Sequence, residues 1–209
     1  MKKGFVVDFD GTFLEINSFV VYVFFLGKYC LFNFRIITGI KLLFYLFARK
    51  TKVISHSSFK YQILSLSPKF LESDFFQSLV KHLDKFVNKR VLSLVEEYKT
   101  NGYKTVVATA APKCYVDFFK EKYKFDYSIS TPLPWEVDSW DEKIRDVKYK
   151  EVQKLLKEEG VDSYSFASDH HDDLPLFQSC PEVNYLVNPS RKSKFILEQN
   201  LVEFEEVTV

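Results

Sequence analysis

Two acidic clusters in this sequence have the residue types and spacing to hold a divalent cation. Asp8 and Asp10 follow the apolar run of residues 4–7 and are separated by one residue. Successive side chains of a strand alternate between its faces, so both carboxylates project to the same side. Taken alone, this spacing equally fits an acidic strand end with a solvated turn. A second acidic cluster, which contains Asp169 and Asp173, also follows an apolar run, and two acidic strand ends can meet in one parallel sheet.

A parallel β-sheet is needed to position these acids, and the second half of the chain predicts one. Short apolar strands alternate there with helical patterns, which is typical of right-handed βαβ units. The predicted fold class is α/β, a Rossmann-like parallel sheet flanked by helices. The predicted strands after the first are residues 104–109, 127–130, 163–168 and 183–187, and the predicted helices are residues 112–123, 148–159 and one that begins near residue 174.

An all-helical cap is predicted between the first strand and the rest of the sheet. Residues 18–49 are dense in aromatic and aliphatic side chains, and residues 57–100 carry apolar side chains at helical spacing. We therefore assign residues 1–16 and 100–209 to a catalytic core and residues 17–99 to the cap.

Four motifs resemble those of the haloacid dehalogenase superfamily of phosphohydrolases, in the subgroup with a helical cap after the first motif, similar to phosphoserine phosphatase. The resemblance covers essentially the whole chain, and the motifs occur in the family's order. They are Asp8-Phe9-Asp10-Gly11-Thr12, the strand Val106-Val107-Ala108-Thr109, a lysine near the start of the helix at residues 148–159, and Asp169 with Asp173, followed by Leu174-Pro175-Leu176.

The resemblance implies a catalytic role for four of these residues. Asp8 would be the nucleophile that forms an aspartyl-phosphate, and Asp10 would be the general acid and base. Thr109 would donate a hydrogen bond to a phosphoryl oxygen, and Lys148 would neutralise charge on the transferring group. Lys143 and Lys150 lie nearby, and the apolar face of the following helix favours Lys148 over Lys150.

The cofactor implied by the resemblance is Mg²⁺, which prefers oxygen ligands. Its ligands would be Asp8, the main-chain carbonyl of Asp10 and Asp169, with Asp173 in direct or indirect support. His170 and His171 beside Asp169 also look like part of a metal cluster. Because adjacent residues are expected to point apart, we interpret the two histidines as shaping the loop.

The implied substrate is a small phosphorylated metabolite other than phosphoserine. Phosphoserine phosphatases usually carry Gly-Gly after the second motif, whereas Thr109 is followed here by Ala110-Ala111-Pro112. They also carry a glutamate shortly after the first motif, and Glu15 is out of register with that position, near Asn17. Phosphoryl transfer to an acceptor other than water stays open. A non-catalytic binding module is disfavoured because it would not need Asp10.

The cap sequence permits a second interpretation of the substrate. Its apolar residues are interspersed with Lys28, Arg35, Lys41, Arg49, Lys50 and Lys52, a composition that suits an anionic membrane surface or a lipid phosphate. It is similar to the caps of bacterial superfamily members that include phosphatidylglycerophosphate phosphatases. The alternative, which we favour, is that the apolar residues pack the cap's own helices. No stretch reaches the roughly 18 uncharged apolar residues of a spanning helix.

Composition excludes several other classes of protein. The 29 Lys+Arg against 28 Asp+Glu give a net charge of +1, so nucleic acid is not an expected partner. Three widely spaced cysteines support neither a disulfide framework nor a zinc site. The first apolar run is too short for a secretory signal. We expect a cytoplasmic protein, peripheral at the inner face of the membrane if the cap binds lipid; the sequence does not define the oligomeric state.

Overall fold

A parallel β-sheet is the central element of the computed structural model, which describes residues 1–67 and 74–208. Six strands form this sheet within those ranges, and every neighbouring pair is parallel. The strands are β1 (Lys2–Val7), β2 (Lys104–Pro112), β3 (Tyr127–Thr131), β4 (Val161–Ser168), β5 (Asn184–Val187) and β6 (Glu205–Val207). The predicted α/β fold class is confirmed. The sequence pattern does not predict β6, because this short edge strand contains two exposed glutamates and no apolar run.

The order of the strands places the acidic clusters at neighbouring strand ends. The order is β3-β2-β1-β4-β5-β6. Strands β2 and β3 are added on one side of β1, and strands β4 to β6 are added on the other side. In such sheets the crevice at the carboxyl ends of the strands, at this switch point, is where ligands bind. Val7 of β1 pairs with Val107 of β2 and with Ala167 of β4. Asp8, the residue after β1, therefore lies between β2, which contains Thr109, and the carboxyl end of β4, which Asp169 follows directly.

Nine α-helices are found in the described residues. Helix α5 is capped by the Asn88 side chain, whose Oδ1 accepts hydrogen bonds from the main-chain N–H groups of Arg90 and Val91. The helices are α1 (Ser18–Phe32), α2 (Ile36–Lys50), α3 (His56–Ser65), α4 (Asp74–Leu83), α5 (Lys89–Thr100), α6 (Lys113–Lys122), α7 (Arg145–Glu158), α8 (Leu174–Ser179) and α9 (Arg191–Gln199). None of them, within residues 1–67 and 74–208, has the length and apolar character that crossing a membrane requires.

Strand β1 is held by apolar packing on both of its faces. The Phe5 ring stacks on Tyr98 of α5, with 4.1 Å between ring centroids. Val6 points to the opposite face, into a buried cluster that includes Val106 and Phe166. Strands covered on both faces are continuously apolar, which explains the uninterrupted buried run that precedes Asp8. The position of Asp8 is consequently fixed by the core.

The chain forms two compact units. The sheet unit consists of Met1–Asn17, Phe86–Thr131 and Lys143–Val209, and the cap unit consists of Ser18–Lys85 and Pro132–Glu142. Two segments differ from the predicted boundaries of 1–16 with 100–209 and 17–99. Helix α5 belongs to the sheet unit, and residues 132–142 belong to the cap unit.

A buried ion pair joins the two segments of the cap unit. The Lys60 ammonium on α3 contacts the Glu142 carboxylate, and both side chains are almost fully buried. Ser57 Oγ donates a second hydrogen bond to Glu142, at 2.7 Å. Burial opposes ionisation of Glu142, but Lys60 and Ser57 more than offset that cost and lower its pKa.

Helix α2 exposes most of its large apolar side chains, and helix α1 exposes four. On α1, Tyr22, Leu26 and Cys30 face the interior of the cap unit, and on α2 only Leu42 and Ala48 are buried. The interpretation that these apolar residues pack the cap's own helices holds for the buried positions, but not for the exposed ones, which include most of the large apolar side chains of α2. The exposed residues are Val20, Phe24, Leu31 and Phe32 on α1, Phe34 between the helices, and Ile36, Ile37, Ile40, Leu43, Phe44, Leu46 and Phe47 on α2.

Candidate active site

A buried lysine links the two acidic clusters. Lys148 lies in the first turn of α7, and its Nζ donates hydrogen bonds to Asp8 Oδ1 at 2.7 Å and to Asp173 Oδ2 at 2.8 Å. All three residues are less than 8% exposed. Charge-assisted hydrogen bonds of this kind are short and strong when water is excluded. The structure thus brings together residues separated by 140 positions in the sequence.

Ser168 completes the contacts of Asp173 and is a site residue that the sequence analysis did not single out. Its Oγ donates to Asp173 Oδ2 at 2.7 Å and accepts from the main-chain N–H of His170. Ser168 is the last residue of β4 and is fully buried. The available signal was its position at the strand end directly before Asp169. Asp173 therefore receives two hydrogen bonds on one oxygen.

Asp169 lies against the loop that follows β1. Its carboxylate accepts a long hydrogen bond, 3.5 Å, from Thr12 Oγ1. Gly11 in this loop has a φ of +78°, and a Cβ atom built on it would lie less than 3.0 Å from the Asp169 carboxylate. Glycine is thus required at position 11 both by its left-handed backbone and by the close approach of Asp169.

Burial dominates the ionisation of the acidic residues. It raises the pKa of Asp8 to about 8, with Asp173 and Asp169 adding to the increase and Lys148 opposing it. Burial likewise raises the pKa of Asp169 to about 6. For Lys148, burial alone would lower the pKa, but Asp173 and Asp8 outweigh that effect and raise it. Lys148 is therefore charged, whereas Asp8 resists ionisation.

The donor set fits a divalent cation such as Mg²⁺. One ammonium group faces the carboxylates of Asp8 and Asp173, and Asp169 adds a third, partly buried carboxylate to the site. The raised pKa values of Asp8 and Asp169 show that their negative charge is incompletely compensated. Carboxylate oxygens are the ligands that Mg²⁺ prefers, and a divalent charge would supply the missing compensation.

Asp10 lies in the loop that follows β1, and Thr109 lies within β2. The loop of Asp10 is closed by main-chain hydrogen bonds from Phe13 N–H to the Asp8 carbonyl and from Leu14 N–H to the Phe9 carbonyl. Thr109 is buried within β2, where the pairing with β3 becomes irregular after Ala108, and its Oγ1 accepts a hydrogen bond from the main-chain N–H of Ala111 at 3.0 Å.

The side chains of several predicted neighbours make no described hydrogen bond to Asp8, Lys148, Ser168 or Asp173. Lys150 is exposed, and Lys143 pairs with Glu151 at 3.0 Å. His170 and His171 do not point apart as expected, since their ring centroids are only 4.1 Å apart. A short 3₁₀ turn at His171–Asp173 brings these rings together.

The sequence profile of the haloacid dehalogenase-like hydrolases matches residues 5–178 of the chain. The chain belongs to this family. Because the match extends over the central strands and both acidic clusters, the resemblance of the four motifs is confirmed at the level of the superfamily.

Solved structures share the fold at low sequence identity. A Bordetella pertussis Tohama I protein of unknown function has a TM-score of 0.80 at 16% identity, with 99% of this chain and 98% of that chain covered. A phosphoserine phosphatase with a phospho-aspartyl intermediate analogue has a TM-score of 0.63 at 15% identity, with 100% and 94% covered. A phosphoserine phosphohydrolase-like protein from Francisella tularensis subsp. tularensis SCHU S4 has a TM-score of 0.59 at 14% identity, with 99% and 95% covered. No curated protein sequence matches the chain.

Replacement of Gly11 tests how closely the two clusters are fitted together. We expect Gly11→Ala to lower the free energy of unfolding by more than about 1 kcal/mol, because it adds both left-handed strain and a clash with Asp169. Gly102→Ala is the matched control, since Gly102 has a φ of +79° and open space around its Cβ position. Urea unfolding of both variants measures the difference. Equal losses in the two variants would show that Asp169 does not restrict position 11.

Proposed function

We propose that the protein is a Mg²⁺-dependent phosphomonoester hydrolase that works through an aspartyl-phosphate on Asp8. The observation that carries the proposal is the Lys148 ammonium held between Asp8 and Asp173 at the carboxyl ends of the central strands, in a chain of this hydrolase family. Phosphoryl transfer requires positioned positive charge more than any other catalytic device. The fold shared with a phosphoserine phosphatase that holds a phospho-aspartyl analogue is consistent with this chemistry.

The first half-reaction would transfer the phosphoryl group to the protein. A carboxylate oxygen of Asp8 attacks phosphorus, and the bond between phosphorus and the ester oxygen breaks. Asp10 donates its proton to that departing oxygen, so that the product leaves as an alcohol. Burial of Asp8 removes competing water from the nucleophile.

The second half-reaction would return the protein to its starting state. A water molecule attacks phosphorus, Asp10 accepts the proton of that water, and the bond between phosphorus and the Asp8 oxygen breaks. Inorganic phosphate is released, the Asp8 carboxylate is restored and Asp10 is protonated again. If an alcohol replaced the water, the same steps would produce phosphoryl transfer.

The remaining residues would bind charge and orient the phosphoryl group. Lys148 holds Asp8 in place and faces the oxygens that gain charge during transfer. Thr109 Oγ1 uses an acceptor position for Ala111 N–H, so its hydroxyl proton can be donated to a phosphoryl oxygen. Mg²⁺, held by Asp8, the Asp10 carbonyl and Asp169 with support from Asp173, would supply positive charge that favours the ionised carboxylates and the phosphoryl oxygens.

The substrate we propose is a small phosphorylated metabolite. Glu15, the glutamate nearest to the position that phosphoserine phosphatases use, is exposed. The contact described for it is a main-chain hydrogen bond from its N–H to the Phe86 carbonyl. A lipid phosphate is the second candidate, favoured by the exposed apolar side chains of α1 and α2. In both cases the reaction at phosphorus is the same.

Replacement of Asp8 by asparagine tests the nucleophile. We expect Asp8→Asn to abolish phosphate release with Mg²⁺, because an amide cannot form the aspartyl-phosphate. The melting temperature of the variant should not fall, because burial already disfavours the charge of Asp8. The assay compares a panel of soluble phosphomonoesters with phosphatidylglycerophosphate in mixed micelles. Asp146→Asn, an exposed acid on α7, is the control and should retain activity. A fully active Asp8→Asn protein would overturn the proposed mechanism.

Alanine variants of Lys148 and Lys150 test which of the two lysines takes part in catalysis. Lys148→Ala should lower kcat by at least about a hundredfold, because the positioned ammonium is lost from Asp8 and Asp173. Lys150→Ala removes an exposed lysine on the same helix and should leave kcat unchanged. Steady-state kinetics on the best soluble ester measure both. A comparable loss in the two variants would contradict the assignment of Lys148.

The response to Mg²⁺ should depend on pH. The cation binds ionised carboxylates, and protons must leave Asp169, with a pKa of about 6, and Asp8, with a pKa of about 8, before it binds. The increase in melting temperature caused by Mg²⁺ should therefore grow as pH rises to about 8. In Asp8→Asn the growth should be centred near pH 6, the pKa of Asp169, because Asp8 no longer contributes a second ionisation. A Mg²⁺ response independent of pH in the wild type would contradict this ligand set.

A further inference from the structure

Helix α2 presents a continuous apolar stripe to its exterior. Six side chains, the α2 apolar face, are between 62% and 74% exposed: Ile36, Ile37, Ile40, Leu43, Phe44 and Phe47. At about 100° per residue they fall within an arc of about 120°. An amphipathic helix of a globular protein normally turns such a stripe towards the core, and a large exposed apolar patch marks an interaction surface.

The charges around this stripe are all of one sign. Residues 16–54 contain six Lys and Arg and no Asp or Glu, whereas the rest of the chain carries 23 Lys+Arg against 28 Asp+Glu. Lys41 and Lys50 lie at the two edges of the arc on α2. On α1, the Lys28 Nζ lies 4.6 Å from the centre of the exposed Phe24 ring. The apolar face is thus bordered by cations with no acid among them.

We propose that the α2 apolar face, with the neighbouring exposed residues of α1, docks on the surface of an anionic lipid bilayer. Apolar side chains would enter the boundary between headgroups and acyl chains, while the lysines extend to the lipid phosphates. Helices α1 and α2 have 15 residues each, short of the roughly 20 needed to span a bilayer, so they would lie on its surface. This docking does not depend on the proposed reaction.

A bilayer fits this surface better than a protein does. In a symmetric dimer the same patch would meet itself, placing the cations opposite one another with no acid to pair them. Protein interfaces are also depleted in lysine, and the two residues that border the α2 arc are lysines. Anionic lipid headgroups supply the opposite charge along the whole border of the face.

The turn between the two helices carries a further exposed aromatic residue. Phe34 is 86% exposed and has a φ of +51°, a backbone conformation that disfavours a bulky side chain. Glycine would be the less strained residue at this helix end. The Phe34 ring therefore contributes neither core packing nor a favourable turn.

Co-sedimentation of the full chain with vesicles tests the proposal. Vesicles of equal parts phosphatidylglycerol and phosphatidylcholine should carry the protein into the pellet, at least about tenfold more strongly than vesicles of phosphatidylcholine alone. Binding should fall when salt is raised to about 0.5 M, because the lysine interactions are screened. Protein that remains in the supernatant with the anionic vesicles would overturn the proposal.

Variants locate the surface and separate binding from folding. Phe44→Ser with Phe47→Ser should weaken vesicle binding at least about tenfold, whereas Phe195→Ser, on α9 and 59% exposed, should bind like the wild type. Lys41→Glu with Lys50→Glu should weaken binding by a similar factor, and the exposed Lys154→Glu should not. Phe34→Gly should weaken binding without lowering the melting temperature, because it also relieves the left-handed φ.

Two other outcomes would reassign the face. If light scattering shows a dimer that Phe44→Ser with Phe47→Ser dissociates, and vesicles do not bind, the occupant is a second copy of the chain and the proposal is wrong. Vesicle binding that is equal in the double variant and the wild type would also overturn it. Asp8→Asn should bind vesicles normally, so that loss of catalysis and loss of docking are distinguishable.

Discussion

The Lys148 ammonium lies between the Asp8 and Asp173 carboxylates where water is nearly excluded, and most other features of the site follow from the cost of keeping these charges buried. Ser168 donates a hydrogen bond to Asp173. For Asp8, burial raises the pKa by more than the Lys148 ammonium lowers it. Because the negative charge of Asp8 is only partly balanced by Lys148, a cation would bind favourably beside it. Asp169 supplies a further carboxylate for such a cation. The hydrophobic packing of β1 holds this unfavourable arrangement in place.

Much of the sheet was predictable because its strands are buried on both faces and therefore have continuous apolar runs. The end of α5 was also predictable from Asn101-Gly102, since Gly102 has the left-handed φ typical of helix ends. Strand β6 and the role of Ser168 were not, because an acidic edge strand and a single serine carry no periodic signal. In the sequence, only the apolar face of the helix favours Lys148 over Lys150. The hydrogen bond between Lys148 and Asp8 joins residues 140 positions apart, so it is visible only in the folded protein.

The cap unit shows where composition is ambiguous. Periodicity identifies which residues of a helix share a face, but it does not say whether that face meets protein, lipid or water. In α1 the buried positions include Tyr22, Leu26 and Cys30, and apart from Lys28 the exposed positions are also apolar. A helix that is apolar on all sides gives the same sequence pattern whether it is buried or exposed. Only the coordinates distinguish the α2 apolar face from a core.

The ion pair between Lys60 and Glu142 has a consequence for modular exchange among members of the family. The cap unit is assembled from two separate stretches of chain, and each contributes one charge to a pair that is almost fully buried. A recombinant chimera that replaced only residues 18–85 would retain Glu142 and discard its counter-charge, leaving a buried carboxylate that costs several kcal/mol if unpaired. An exchange of the cap unit would therefore have to replace both segments together, residues 132–142 as well as the helices of residues 18–85.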